Sequence, residues 1–250
     1  MSMSDNLQVF ILGSARTGTS ITYYAMHEIL DLPGAGESHV IPIFQRIIHN
    51  FYTHQQSFQD PEVLAQRLDT ADFRRYILDY IRAFYLSVYP TSSWVDKTPG
   101  DEAIFGVPLI RQAFPSAKLI CTKRTGVEVV ESFRAKFFAS FEAACRAWAG
   151  SMDALLAIRA ACPDILELDQ YDMTNSPGAI ARDLTNYLGI PEKKEALAGF
   201  FREKRTDQLS SHDWRRRLTM ADTGWSEEER KFFLTTCGEL MQKFDPAFLG

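Results

Sequence analysis

Gly13, Arg16, Gly18, Thr19 and Ser20 have the spacing and chemistry to hold an anion. The two glycines stand at the G-x-x-x-x-G separation of a phosphate cradle. Glycine lets the backbone curl around a phosphate, successive N–H groups then point inward, and a following helix N-terminus adds positive potential. A loop for ATP or GTP continues with Lys and then Ser or Thr, because the lysine bridges the β- and γ-phosphates and the hydroxyl holds magnesium. Here Thr19 follows Gly18 directly, and the loop's one cation is Arg16. That suits a nucleotide with a 5′-phosphate and one further anionic group, not a magnesium-bound triphosphate.

Such a loop needs a strand to present it and a helix to close it. The apolar run Val9 to Leu12 reads as a buried strand, and a helical pattern opens at Thr19. Residues 31–39 read as a loop from their Pro and Gly content, with Glu37 and His39 leaving it. Ser92 to Asp96 reads as a second strand stopped by Pro99, which puts Lys97 at its carboxyl end. Ala117 to Thr122 is a third, ending in Lys123 and Arg124, and Asp164 to Leu168 a fourth.

Helical signals fill the intervals. Pro61 opens one helix; Thr70 caps another, whose stripe Phe73, Tyr76, Ile77, Tyr80, Ile81 and Phe84 reads as core. Residues 49–60 read as a surface segment. Ser176-Pro177 starts a helix that Gly189 stops, and Ser226 with Glu229 forms a capping box for a last helix. Strands alternating with helices imply an α/β fold, a P-loop-like parallel sheet of four to five strands with helices on both faces. A single domain over residues 1–250 is expected. Arg16, Lys97 and Arg124 follow three different strands, so a doubly wound sheet would bring them to one rim, where such sheets bind ligands.

Composition limits the partners. A formal charge of −5 argues against bulk nucleic-acid binding, so cations for an anionic ligand must be concentrated locally. Residues 118–136 carry five basic side chains against Glu128 and Glu131, and residues 202–217 carry six against three acidic ones. Four scattered cysteines without a C-x-x-C pair read as free thiols in a reducing cytoplasm. The N-terminus lacks a leader pattern and no apolar run approaches spanning length, so a soluble chain with no membrane partner is expected. Zinc, calcium and serine-hydrolase motifs are absent, which disfavours a metal site and a nucleophile elbow.

The run Gly13 to Ser20 (GSARTGTS) resembles the 5′-phosphosulfate loop of sulfotransferases that use 3′-phosphoadenosine-5′-phosphosulfate (PAPS). Arg124, followed eight residues later by Ser132 on the next helix, looks like their 3′-phosphate motif. Asp96 to Pro99 is similar to the family's Lys-Thr-Pro segment. Residues 169–172, with Tyr171, resemble the segment whose tyrosine lies near adenine; counting back from Pro177 puts Gln170 at that place. Residues 212–218, with Trp214 and Arg215, resemble the basic Trp-Arg segment that closes over the nucleotide. The match runs nearly the whole chain, closest in pattern to the bacterial and tyrosyl-protein branches.

The resemblance implies roles. The donor would be held by Ser14, Ala15, Arg16, Thr17, Gly18, Thr19, Ser20, Arg124, Ser132, Tyr171, Trp214 and Arg215, with 3′-phosphoadenosine-5′-phosphate (PAP) as product and no metal. Glu37 falls where those branches place the base that takes the acceptor's proton, with His39 as competitor, and Lys97 with Arg16 would neutralise the leaving group. Two other readings stay open: a P-loop small-molecule or nucleotide kinase, and a non-catalytic PAP-binding protein. The acceptor is expected to be a small molecule with a hydroxyl or amine, hydrophobic or aromatic in character, shaped by residues 40–90 and by Phe137, Phe138 and Phe141. A homo-oligomer is compatible with the sequence.

Overall fold

A computed structural model describes residues 6–58, 60, 62–89, 91–204 and 216–244. The chain opens with β1 (Gln8–Gly13), α1 (Thr19–Leu30), β2 (Gly34–Ala35), α2 (Val40–Ser57), α3 (Leu64–Arg67) and α4 (Thr70–Val88). It continues through β3 (Trp94–Lys97), α5 (Asp101–Phe105), α6 (Val107–Ala113), β4 (Lys118–Lys123), α7 (Gly126–Phe137) and α8 (Phe141–Arg159). β5 (Leu166–Asp169), α9 (Gln170–Asn175), α10 (Pro177–Leu188), α11 (Lys194–Glu203) and α12 (Glu227–Phe244) complete it. The sheet has five strands in the order β2-β3-β1-β4-β5. Every strand pair is parallel.

Strand pleating explains the layers. Along β1, Phe10 and Leu12 point into a core shared with α2, α4, α6 and α8, while Val9 and Ile11 point into one shared with α1, α10 and α11. A third cluster joins α7, α8 and α12 around Trp148, Trp225 and Phe233. Helices on both faces are the cover that a parallel sheet requires. The register sets Ile11 beside Lys97, Gly13 beside Thr122 and Lys123 beside Asp169. The carboxyl ends of the strands therefore share one rim, with β1 in the middle.

Several local expectations differ. β2 lies inside the stretch read as loop: two residues have no period to detect, and Gly34 is recruited by pairing with Val95. Residues 49–57 lie at the surface as read, but they are helical, the end of α2, where Phe51 stacks on Phe73 at 3.7 Å. Asp69 rather than Thr70 caps α4, because its carboxylate accepts from the amides of Ala71 and Asp72. In the α4 stripe Ile81 is buried, but Tyr76 and Tyr80 are 55% and 60% exposed, so those two are surface, not core. Pro61 lies outside the described residues. The Ser226–Glu229 box is as read, each backbone amide donating to the other's side chain.

Candidate active site

The loop between β1 and α1 is built for close approach. Gly13 has φ 142°, and a Cβ there would lie 2.5 Å from the Thr122 carbonyl oxygen, so a side chain has no room. Gly18 caps α1 in the left-handed region at φ 100°. Between them Arg16 is also left-handed, at φ 72°, an uncommon state for a residue with a side chain. The Thr17 hydroxyl turns inward, donating to the Ser14 carbonyl at 2.7 Å and meeting the Thr122 hydroxyl at 2.8 Å. It ties the loop to β4, so Thr17 holds the cradle's shape.

The strand ends converge on this loop. Arg16 Nε donates to Ser132 Oγ on α7 at 2.9 Å, linking groups 116 residues apart. Lys97 Nζ, nearly buried, donates to Ser20 Oγ at 3.3 Å and to Glu37 Oε1 at 3.0 Å. The other Glu37 oxygen lies 3.1 Å from His39 Nε2. Glu37, Lys97 and His39 thus form one cluster beside the first turn of α1. Burial pushes the Glu37 carboxyl up, but hydrogen bonds and charge from Lys97 and His39 outweigh it and leave the carboxyl below its ordinary value.

Arg124 sits deeper. Its Nε lies 3.5 Å from Glu128 Oε2, an ion pair too long for a good hydrogen bond. Glu128 is itself fixed by the Thr125 hydroxyl at 2.8 Å, and Trp148 Nε1 donates to the Arg124 carbonyl at 3.0 Å. Burial lowers the Arg124 pKa, Glu128 opposes that, and the like charge of Arg16 lowers it further, which puts the two guanidinium groups within electrostatic reach. Among the described residues, three buried side-chain polar atoms have no hydrogen-bond partner: Ser14 Oγ, Arg124 Nε and Gln45 Oε1. Two of the three belong to this site. An unsatisfied buried polar group costs stability unless a ligand completes it, and hydroxyl and guanidinium N–H are both donors suited to a phosphate.

Beside Arg124 opens a cleft lined by Lys123, Thr125, Trp148, Asp169 and Arg217. Arg217 pairs with Asp169 Oδ2 at 2.8 Å and lies over the Tyr171 ring at 4.7 Å. A Cβ at Gly18 would meet Gln170 Cγ at 3.3 Å, so Gln170 borders the loop itself while Tyr171 stands under Arg217. Trp214 and Arg215 lie outside the described residues. Ala15 is half-buried and Thr19 buried within the cradle.

Sequence reasoning included Arg217 only as part of the 212–218 segment, and it missed the roles of Glu128, Thr122 and the partners of Asp96, because an ion pair or hydrogen bond between distant segments leaves no local pattern. It also placed Phe141 at the acceptor; the ring is buried in the core against Trp225 at 4.9 Å, whereas Phe137 and Phe138 are exposed. Among the described residues no group of three or more His, Cys, Asp or Glu side chains could hold a metal ion. None of their helices is long and apolar enough to cross a membrane.

Known proteins share this architecture. The sulfotransferase domain of the Synechococcus PCC 7002 olefin synthase superposes with TM-score 0.56 at 18% identity, covering 94% of this chain and 95% of that one. The sulfotransferase STF9 from Mycobacterium avium gives TM-score 0.52 at 15% identity over 98% and 78%. The sulfotransferase domain of the curacin biosynthetic pathway gives 0.50 at 18% over 74% and 75%. At such identities the likeness speaks for the fold. No curated protein matches significantly by sequence. The family model described as "Sulfotransferase family" matches residues 8–194, from β1 through the start of α11. That span takes in the cradle, Lys97, Arg124 and Ser132, and the chain belongs to the sulfotransferase family, whose members transfer sulfuryl groups.

Proposed function

We propose that the chain transfers a sulfuryl group from PAPS to a hydroxyl or amine of a small-molecule acceptor by direct in-line displacement. One observation carries the donor assignment: Arg16 of the cradle is hydrogen-bonded to Ser132 of α7, in a site where the buried Ser14 Oγ and Arg124 Nε make no hydrogen bond. A site that joins the 5′-phosphate loop to a second cationic pocket fits an adenosine phosphorylated at both ends. Ser14 and the backbone of residues 15–20 hold the 5′ side. Arg124 and Ser132 hold the 3′-phosphate, the group that distinguishes this donor from ATP, and Tyr171 with Arg217 borders the adenosine.

When bound, PAPS supplies the sulfuryl group; its bond to the 5′-phosphate oxygen breaks as the acceptor atom bonds sulfur, and PAP remains. Glu37 takes the acceptor's proton. Its depressed pKa leaves it ionised at neutral pH, but also makes it a weak base while Lys97 is attached. Lys97, with Arg16, neutralises the negative charge left on the bridging oxygen. As the ammonium turns to that oxygen, Glu37 loses the interaction that kept it acidic and grows more basic when the proton must move. His39, 3.1 Å from Glu37, is the alternative base.

Ile43 and Ile47, one and two turns along α2 from His39, are 52% and 40% exposed, which supports a hydrophobic or aromatic acceptor. The four cysteines are free and buried, in keeping with a reducing compartment such as the cytoplasm.

Thermal-shift measurements with PAP and with magnesium–ATP test the donor, since a ligand of the native state raises stability by mass action. PAP should raise the Tm and magnesium–ATP should not; the reverse would favour a kinase. Transfer from 35S-labelled PAPS to phenols should then separate an enzyme from a non-catalytic PAP-binding protein.

A further inference from the structure

Asp96 is a carboxylate in the protein interior, 2% exposed, and among the described residues no basic side chain pairs with it. Its partners are three hydroxyls. Ser38 and Tyr85 each donate to Oδ2 at 2.5 Å, and Thr98 donates to Oδ1 at 3.3 Å. Burial pushes the carboxyl up, and these hydroxyls only partly offset it. Burying a charge against neutral donors costs more than an apolar side chain would, so the arrangement is not there for stability.

The residues after Asp96, Lys97 and Thr98, also hold the turn before α2. The Ser38 amide donates to the Lys97 carbonyl at 3.2 Å, and the His39 amide donates to Thr98 Oγ1 at 3.1 Å. His39 is held in the left-handed region at φ 53°, a conformation that persists only when its surroundings fix it. Glu37, one residue before this anchor, reaches Lys97, whose own backbone lies between Asp96 and Thr98. The base and the cation are thus set at 3.0 Å by one buried network, although each side chain belongs to a different element.

We propose that Asp96 is a positioning residue: through Ser38, with Tyr85 and Thr98 fixing its orientation, its carboxylate holds the 37–39 turn so that Glu37 meets Lys97. The inference rests on Glu37 being the base, but the turn itself can be tested without that.

Ser38 is the variant of choice, since it is only half-buried and its replacement leaves Tyr85 and Asp96 in place. In the full chain, Ser38→Ala should speed hydrogen exchange at the Ser38 and His39 amides at least tenfold while β1 amides keep their protection; Ser38→Thr, which keeps the hydroxyl, should restore the slow rate. Unchanged exchange in Ser38→Ala would overturn the proposal, whatever the acceptor. With 2-naphthol and 35S-labelled PAPS, Ser38→Ala should lower kcat about tenfold and leave the Kd for PAP within twofold. In a Glu37→Gln background the same change should cost less than twofold. An equal loss in both backgrounds would overturn the coupling to Glu37. Full turnover in Glu37→Gln alone would instead remove Glu37 as base, with the exchange result still deciding whether the Ser38 hydroxyl, which meets Asp96 Oδ2 at 2.5 Å and Thr98 Oγ1 at 3.2 Å, anchors the turn. Slow exchange kept in Asp96→Asn would overturn the role of Asp96 itself.

Discussion

Replacing Lys97 with Met removes a charge and keeps most of the volume. Nζ is nearly buried and lies 3.0 Å from Glu37 Oε1 and 3.3 Å from Ser20 Oγ. Two consequences follow from that geometry. The loss of a preorganised cation at the leaving oxygen should cost about 2–4 kcal/mol of transition-state stabilisation, or roughly 30- to 900-fold in kcat/KM. Glu37 also loses the hydrogen bond and charge that depress its pKa, so its carboxyl should move up toward the ordinary range. The base must be ionised to act, so the acid limb of the pH–rate profile should shift to higher pH in the variant. The folded pKa of Glu37 is depressed in the wild type, so the pair adds stability above the ordinary carboxyl pKa, lost as pH falls through the folded value. Glu37 is half exposed, so that contribution is about 1 kcal/mol at most, and the Tm should fall by only about 2–4 °C. Initial rates with 35S-labelled PAPS and 2-naphthol across pH, set beside a melting curve, separate the effects. Turnover within threefold of wild type, with an unmoved acid limb, would remove Lys97 from the chemistry.

The remaining expectations concern single contacts. Glu37→Gln should reduce turnover by about 10²- to 10⁴-fold and His39→Asn by less than tenfold, measured with the same transfer assay; the opposite order would make His39 the base. Ser132→Ala should weaken PAP binding about tenfold or more by calorimetry while leaving adenosine 5′-phosphate unaffected, since a hydrogen bond to a charged group is at stake. If both nucleotides weaken alike, Ser132 does not read the 3′-phosphate. Ser226→Ala breaks the box at the head of α12 and should cost about 1 kcal/mol, seen as a Tm lower by about 2–4 °C with donor binding unchanged.

Short-range chemistry was legible in the amino-acid order. Val9–Leu12 had to be strand because four consecutive apolar residues stop at a glycine that only a Cβ-free residue can occupy, 2.5 Å from the Thr122 carbonyl. The loop arginine without a P-loop lysine after Gly18, the eight-residue step from Arg124 to Ser132, and the Ser226–Glu229 cap are each written within one or two turns of chain. So was the alternation that makes the sheet parallel. Contacts between segments far apart in the chain were beyond such reading. The Glu37–Lys97 pair, the Arg16–Ser132 bridge, the Arg217 contact over Tyr171 and the Ser38–Asp96 bond join positions from 46 to 116 residues apart. Period and propensity act over a few residues, whereas these pairs exist only because the strand order β2-β3-β1-β4-β5 brings the carboxyl ends of the strands together. The chain order settled which groups could do the chemistry; the crossing of the strands settled which of them meet.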